Sequence, residues 1–380
     1  MSQRTKRSLF ATALAAVGLL LSATHPAAAV GGGNVSVGWS IPDTPTAGLT
    51  NITFPMTINS DTAHQSGIYF AQQFSFATNL GYTGLQPRAD VAGKERLRGV
   101  FSVFGEGASS THTNCSSGAD GGAGVSCGVE FDAVYGHKYD LKVSKTGTNT
   151  WTGTAIDTVT GTSTQIGTYT LANGSGDIRG SQGGFVEYYL SIPSCSLMPR
   201  ADGVLGGPTS TDAGGLTGTS RAKYEYSDCV GTSNYAAQND GDGTHVTRGY
   251  TSGPATPLVS RASAKCLDNF DSSTANGASV GIWTCNGGNN QQWITHTGGQ
   301  LTVNGKCLDA ANHGTTAGTK VTTWACTGGG NQKWSPSSDG TLRGVESGLC
   351  LGVVGASTSN GALVELQTCG GGTSQKWTRG

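Results

Sequence analysis

The sequence predicts an all-β chain in two parts, a sandwich of short strands followed by a threefold-repeated β domain. Three observations carry that expectation. Glycine supplies 61 of 380 residues and charged residues only 12%, about half the usual charged share. No segment shows the long Ala-, Glu-, Lys- and Leu-rich pattern of a helix. Instead, apolar and aromatic residues recur in short runs between Gly-, Ser- and Thr-rich turns, which suits strands better than disorder. Finally, three C-terminal segments repeat the same residues at the same offsets, the mark of an internal repeat.

At the N-terminus, Arg4, Lys6 and Arg7 precede an apolar run from Leu9 to Ala23, and Ala27-Ala28-Ala29 follows. A basic start, a short apolar stretch and a small-residue end describe a secretory signal peptide over residues 1–29, cleaved after Ala29. A membrane span needs about 20 apolar residues, and Ser22, Thr24, His25 and Pro26 interrupt before that length. The expected product is a secreted, extracellular protein without membrane insertion. Its formal net charge of −1 and the lack of a later basic run argue against a nucleic-acid partner, which needs concentrated positive charge. All ten cysteines follow the export signal, so disulfides are expected. Successive cysteines lie at least 12 residues apart, unlike the clustered ligands of zinc sites. Neither metal nor cofactor is expected.

Residues 30–250 are expected to form the sandwich or jelly-roll domain. Apolar and polar residues alternate over Gly67–Phe76, Arg98–Phe104, Lys138–Val143, Thr150–Ile156 and Gly184–Ile192, the period of half-buried strands. Cys115 and Cys127 bracket a glycine-rich loop and are expected to pair, leaving Cys195 for Cys229, although four cysteines allow three connectivities. The segment resembles an uncharacterised family of secreted bacterial β-sandwich domains through GVFSVFGEGA, the Gly-rich Cys loop, GHKYDLKV and GGFVEYY. That resemblance implies no activity. Residues 251–256, with Pro254 and no periodicity, read as a linker.

The repeats occupy residues 257–380. They read KCLDNFDSSTANGASVGIWTCNGGNNQQW, KCLDAANHGTTAGTKVTTWACTGGGNQKW and LCLGVVGASTSNGALVELQTCGGGTSQKW. Their first cysteines are Cys266, Cys307 and Cys350, and Cys285, Cys326 and Cys369 follow 19 residues later. Gln-x-Trp closes each unit, as Gln291/Trp293, Gln332/Trp334 and Gln375/Trp377. A propeller would need about four or more blades. Three units, each too small to bury a core alone, suit a closed threefold assembly with the three Trp side chains around a shared centre.

This pattern resembles the ricin B-type lectin family, which implies a β-trefoil and a carbohydrate partner. The full expectation is then an all-β chain, an N-terminal β-sandwich or jelly roll followed by a C-terminal β-trefoil. The paired cysteines within each repeat, Cys266–Cys285, Cys307–Cys326 and Cys350–Cys369, are expected to be disulfides, each closing a loop of about 20 residues and adding about 3 kcal/mol.

A sugar site needs an aromatic face for C–H surface and fixed polar groups matched to hydroxyls. The resemblance assigns these roles to the Asp after Cys-Leu, the aromatic two before the second cysteine, and the Asn-Gln that opens Gln-x-Trp. The first repeat carries Asp268, Trp283, Asn290 and Gln291, and the second Asp309, Trp324, Asn331 and Gln332. The third has Gly352, Gln367 and Ser374 at three of these places, so it is expected to be architectural. Trp293, Trp334 and Trp377 are expected in the core. The alternative for Asp268 and Asp309 is a turn-stabilising role, and for Trp283 and Trp324 a cover over the disulfide. The joint loss of Asp, aromatic and Asn in the third repeat favours a shared binding role.

The rival expectation is a glycan-active hydrolase that uses the repeats for targeting. Glu130-Phe131-Asp132 resembles the carboxylate strand of laminarinase-type glycosidases, but Tyr135 stands where a further Glu would fall. Glu106, Glu187, Asp157 and Asp177 bear no motif, and His64, His112, His137 and His245 show no metal-binding spacing. No Gly-x-Ser-x-Gly elbow is present. Binding to a poly- or oligosaccharide, such as a cell-wall or plant glycan, is the favoured reading.

Overall fold

The computed structural model describes residues 30–380, and the expected signal peptide lies outside the described residues. The N-terminal domain is a sandwich of two antiparallel sheets. One sheet orders its strands Thr219–Tyr226, Asn34–Ser40, Ser181–Tyr188, Ile68–Ser75, Leu80–Val91, Lys94–Phe104, Gly122–Asp132 and Cys115–Ala119. The other runs Ser163–Thr170, Thr150–Asp157, Lys138–Lys145, Asn51–Ile58, Ala201–Leu205, Gly243–Arg248 and Ala236–Asp240. The alternating runs of the sequence fall on these strands. The expected strand Gly184–Ile192 differs, because the chain leaves the sheet after Tyr188 and pairs Ser191–Ile192 with Val30–Gly31.

Alternation decides which side chains enter the core. Along Asn34–Ser40, Val35, Val37 and Trp39 are buried while their neighbours are partly or fully exposed. Phe54, Phe74, Phe101 and Tyr169 form a run of stacked rings between the sheets, the last pair 4.3 Å apart between centroids. Two glycines make room for this packing. A Cβ on Gly153 would lie 2.4 Å from the Phe101 ring, and one on Gly167 would lie 2.5 Å from Cys127 Cβ. Cys115–Cys127 joins directly opposed residues of neighbouring strands, and Cys195–Cys229 ties the end of the domain to its body.

The C-terminal domain repeats one plan three times. Each unit builds a hairpin: Cys266–Asn269 with Ala278–Trp283, Lys306–Ala310 with Val321–Trp324, and Cys350–Val353 with Val364–Gln367. Single bridges join the hairpins to one another, Ser279–Ala278 to Thr322–Thr323, Gly281 to Leu363 and Lys320 to Glu365. Six further short strands close a ring, in which Leu258–Ser260 pairs with Trp377–Arg379 and so joins the first repeat to the last. A six-stranded barrel capped by three hairpins is a β-trefoil. Its core gathers Leu267, Ile282, Leu308, Leu351 and Leu366 with Trp293, Trp334 and Trp377. Each Trp indole N–H donates to the carbonyl of the Leu after the repeat's first cysteine, at 2.9, 2.9 and 3.0 Å. The three indoles are thus anchored alike, and burial of a Trp N–H requires such a partner. All three intra-repeat disulfides are present.

Residues 251–256, read from sequence as a linker, lie along the trefoil. Gly253 N–H donates to Thr295 O at 2.8 Å, and Thr256 and Trp293 exchange backbone bonds. The Cys195–Leu197 turn also meets the trefoil, where Gln300 Nε2 donates to Ser196 Oγ at 2.7 Å in a buried contact. Proline and missing periodicity pointed to irregular chain there, and irregular chain can still be hydrogen-bonded.

Candidate functional site

The hairpin register places the expected site residues. In the first repeat Cys266 opposes Trp283, Leu267 opposes Ile282, and Asp268 opposes Gly281. Successive strand residues point to opposite faces, so Leu267 and Ile282 enter the core while Asp268 and Trp283 share the outer face. The second repeat does the same with Asp309, opposite Thr322, and Trp324, opposite Cys307.

The turn that closes each repeat brings up the remaining groups. Gln291 Nε2 donates to Asp268 Oδ2 at 2.7 Å and Asn290 Nδ2 to Asp268 Oδ1 at 2.9 Å. Gln291 also donates to Thr284 O and accepts from Asn286 N–H, so it fixes the carboxylate to the backbone on both sides. In the second repeat Asn331 Nδ2 and Gln332 Nε2 each reach Asp309 Oδ2 at 2.9 Å. Gln332 also bonds Ala325 O and Thr327 N–H. Both glutamines are buried. They orient the aspartates.

Electrostatics set these aspartates apart. Each is 4% exposed, and burial pushes both carboxyls above the ordinary aspartate value of 3.8 despite the amide donors that favour the ionised form. Asp271 adds to the rise at Asp268, and Glu346 at Asp309, where His313 opposes it. A folded-state pKa above the unfolded one means that the ionised group costs stability at neutral pH, and that this cost disappears below the ordinary aspartate range. Two carboxylates kept under such a penalty are candidates for function.

Trp283 is 43% exposed, with Phe270 edge-on at 6.2 Å between ring centroids. Trp324 is half-buried. The second repeat also leaves Asn331 Oδ1 and Thr322 Oγ1 buried without a protein partner. Phe270 and Thr322 escaped sequence reasoning because each residue type occurs at its position in one repeat only. Only the register, which sets Thr322 opposite Asp309, reveals it.

The third repeat is filled from within. Gln367, at the place of the missing aromatic, folds over Gly352 so closely that a Cβ there would lie 2.2 Å from Gln367 Oε1. Gln367 Oε1 accepts from Gln375 Nε2 at 3.1 Å, the bond that Asp268 and Asp309 take in their repeats. Gln367 Nε2 donates to Val353 O at 3.1 Å, as Asn290 and Asn331 donate to Asn269 O and Ala310 O. One neutral amide thereby serves both the Asp and the Asn positions.

Four of the carboxylates weighed for hydrolysis, Glu130, Asp132, Asp157 and Asp177, are held in ion pairs. Glu130 pairs with Arg88 at 3.0 Å, and Asp132 with Lys94 at 2.6 Å and Arg96 at 2.5 Å. Those cations hold Asp132 below the ordinary range, with its bonds to Lys94 and Arg96 dominant, which suits a surface ion pair and not a proton donor. Asp157 binds His137 at 2.9 Å, and Asp177 binds Lys145 at 2.5 Å. His64 and His245 likewise pair with Asp90 and Asp202 at 2.8 Å each. Among the described residues no His, Cys, Asp and Glu cluster is arranged to hold a metal ion.

A family model for the ricin-type beta-trefoil lectin domain matches residues 254–377. Among solved structures, the designed threefold-symmetric protein ThreeFoil is 38% identical, with 34% of this chain and 96% of that one covered at a TM-score of 0.32. The C-half of the earthworm R-type lectin, solved with GalNAc, is 19% identical over 33% of this chain and 98% of that one, at a TM-score of 0.30. An exo-β-1,3-galactanase from Clostridium thermocellum, 1,3Gal43A, is 16% identical over 81% and 82% of the two chains, at a TM-score of 0.32. Such values for the galactanase carry no inference about activity. No curated protein matches the sequence. With the Gln-x-Trp repeats, the threefold barrel and the family match in agreement, residues 254–377 are a ricin-type β-trefoil lectin domain, a carbohydrate-binding module.

Proposed function

We propose that the protein is a secreted lectin that holds glycans at two trefoil sites, one on Asp268, Trp283, Asn290 and Gln291, the other on Asp309, Trp324, Asn331 and Gln332. The observation that carries this reading is the contrast among repeats. Two of them keep a desolvated, destabilising carboxylate oriented by a buried Gln and a neighbouring Asn. The third replaces it with an uncharged amide that satisfies the same bonds. A carboxylate accepts from two sugar hydroxyls at once, and a wrong epimer would leave it unpaired. The neighbouring Trp offers its face to the sugar C–H surface. Secretion follows from the signal-peptide pattern and agrees with five disulfides.

The glycan array is the test of this reading. Saturable binding to a restricted set of oligo- or polysaccharides is expected, with no new reducing ends after prolonged incubation. Absence of any glycan signal from folded protein would overturn the lectin reading, and new reducing ends would revive hydrolysis.

Acid should release the ligand. Binding uses the ionised aspartates, whose pKa values are raised by burial, so affinity is full at neutral pH and falls as pH drops through those raised values. The midpoint of release from an immobilised glycan should therefore lie above the ordinary aspartate value of 3.8. Unchanged retention down to that value would show that the carboxylates take no part.

A further inference from the structure

The face of the eight-stranded sandwich sheet that points away from the core carries a groove of about 610 Å³, lined only by residues of the N-terminal domain. Its floor follows from the register. Ala71, Gly84, Val100 and Gly128 lie side by side across four neighbouring strands, a row of mostly small residues that sinks the centre of the face. The glycines are required there. A Cβ on Gly84 would lie 2.9 Å from the Tyr69 ring, and one on Gly128 2.4 Å from an Arg98 guanidinium nitrogen. Both planar groups are therefore laid close against the sheet.

Aromatic rings build the sides. Tyr69 meets Tyr82 at 5.7 Å and Phe185 at 5.6 Å, both edge-on, and Tyr82 meets Phe104 at 5.2 Å. This aromatic cluster is separate from the domain core, on the opposite side of the sheet. Within the cluster Tyr69 Oη is fully buried and bonds no protein group, and a buried polar atom left unpaired costs about 1–3 kcal/mol. Charges of both signs line the groove, Arg88 and Arg98 with Asp120 and Glu187, and Arg88 is already paired with Glu130.

We propose that this groove is a second carbohydrate site, one that takes a neutral oligosaccharide. Its volume lies within the range of about 300–1,000 Å³ usual for ligand sites. The rings provide apolar area for sugar C–H faces, Gln73, Gln86 and Asp120 line the groove with polar groups, and a lining that carries both signs of charge favours an uncharged ligand. Glu187 fits the same picture. Burial, and then the Asp120 carboxylate, push its carboxyl up to about 7, so at neutral pH it both donates and accepts. The site uses no trefoil residue, so it stands apart from the trefoil assignment.

The test uses the full-length secreted chain carrying Asp268→Ala and Asp309→Ala, titrated calorimetrically with uncharged hexasaccharides of glucose, xylose, mannose and galactose. At least one probe is expected to bind this chain saturably, and both Tyr82→Ala and Asp120→Asn, added singly, should weaken it tenfold or more. Asp120 is exposed in a turn, so the second variant leaves the fold intact if the first does not. Failure of every probe to bind, or binding indifferent to folded Asp120→Asn and Tyr82→Ala chains, would overturn the groove. Failure of the trefoil reading is seen separately, as equal binding by the wild-type and Asp268→Ala/Asp309→Ala chains of the ligands found on the array.

Discussion

Combining Gly352→Asp, Gln367→Trp, Ser374→Asn and Glu365→Thr is expected to create a third sugar site in the trefoil. Each change answers a particular obstacle. Gln367 bonds Gln375 in place of a carboxylate. Once it is replaced, the three atoms that crowd a Cβ at position 352, at 2.2, 2.5 and 3.1 Å, are gone, because all belong to Gln367. Gly352 is not among the glycines held at positive φ, so its backbone accepts a side chain. Ser374→Asn restores the second amide donor. Glu365 opposes Gly352 across the hairpin, where like charges directly opposite one another are destabilising. The first two repeats have Gly281 and Thr322 there, hence Glu365→Thr. Calorimetric stoichiometry for the trefoil ligand should rise from two to three, and retention on a polymer should strengthen about tenfold or more through effective concentration. Gly352→Ala alone should instead destabilise by about 1–3 kcal/mol, since it overpacks against Gln367. A folded rebuilt variant that still binds two ligands would mean that these four positions do not define the site.

The trefoil was legible because its information is local and repeated. Cysteine spacing, Gln-x-Trp and the Asp after Cys-Leu recur within each unit, and the hairpin that joins them spans fewer than 20 residues by the same cysteine spacing. The role of Gln367 was not legible. Sequence showed a missing aromatic, and only the fold shows an amide turned back to serve two lost positions. Phe270 and Thr322 were missed for a related reason, as each occurs in one repeat alone.

The sandwich was less readable. Alternation placed its strands and told inward from outward residues, yet it said nothing of strand order. Tyr69, Tyr82, Arg98, Asp120 and Glu187 meet in one groove, and no spacing relates them. The same gap hid the partners of Glu130 and Asp132, whose resemblance to a catalytic strand was already incomplete at Tyr135. Their partners Arg88, Lys94 and Arg96 come from neighbouring strands, and pairing with them leaves an ion-pair ladder on the surface. The segment 251–256 shows the limit of composition, because Pro and Gly signalled irregular chain but could not show that it runs hydrogen-bonded along the trefoil.

Loss of both trefoil aspartates should remove the largest part of glycan binding. Each contributes a charge-assisted acceptor worth roughly 1.5–3 kcal/mol, a factor of ten or more per site. On a polymer that engages both sites the losses compound, to about a hundredfold or more. Stability should change little or rise, because each deletion also removes a carboxylate that burial destabilises. The direct measurement is calorimetric titration of the folded Asp268→Ala/Asp309→Ala chain against the glycan that gives the strongest array signal. Affinity at least tenfold weaker than wild type, with an unchanged or higher melting temperature, is the predicted result. Undiminished binding by that folded variant would contradict the assignment of the two trefoil sites.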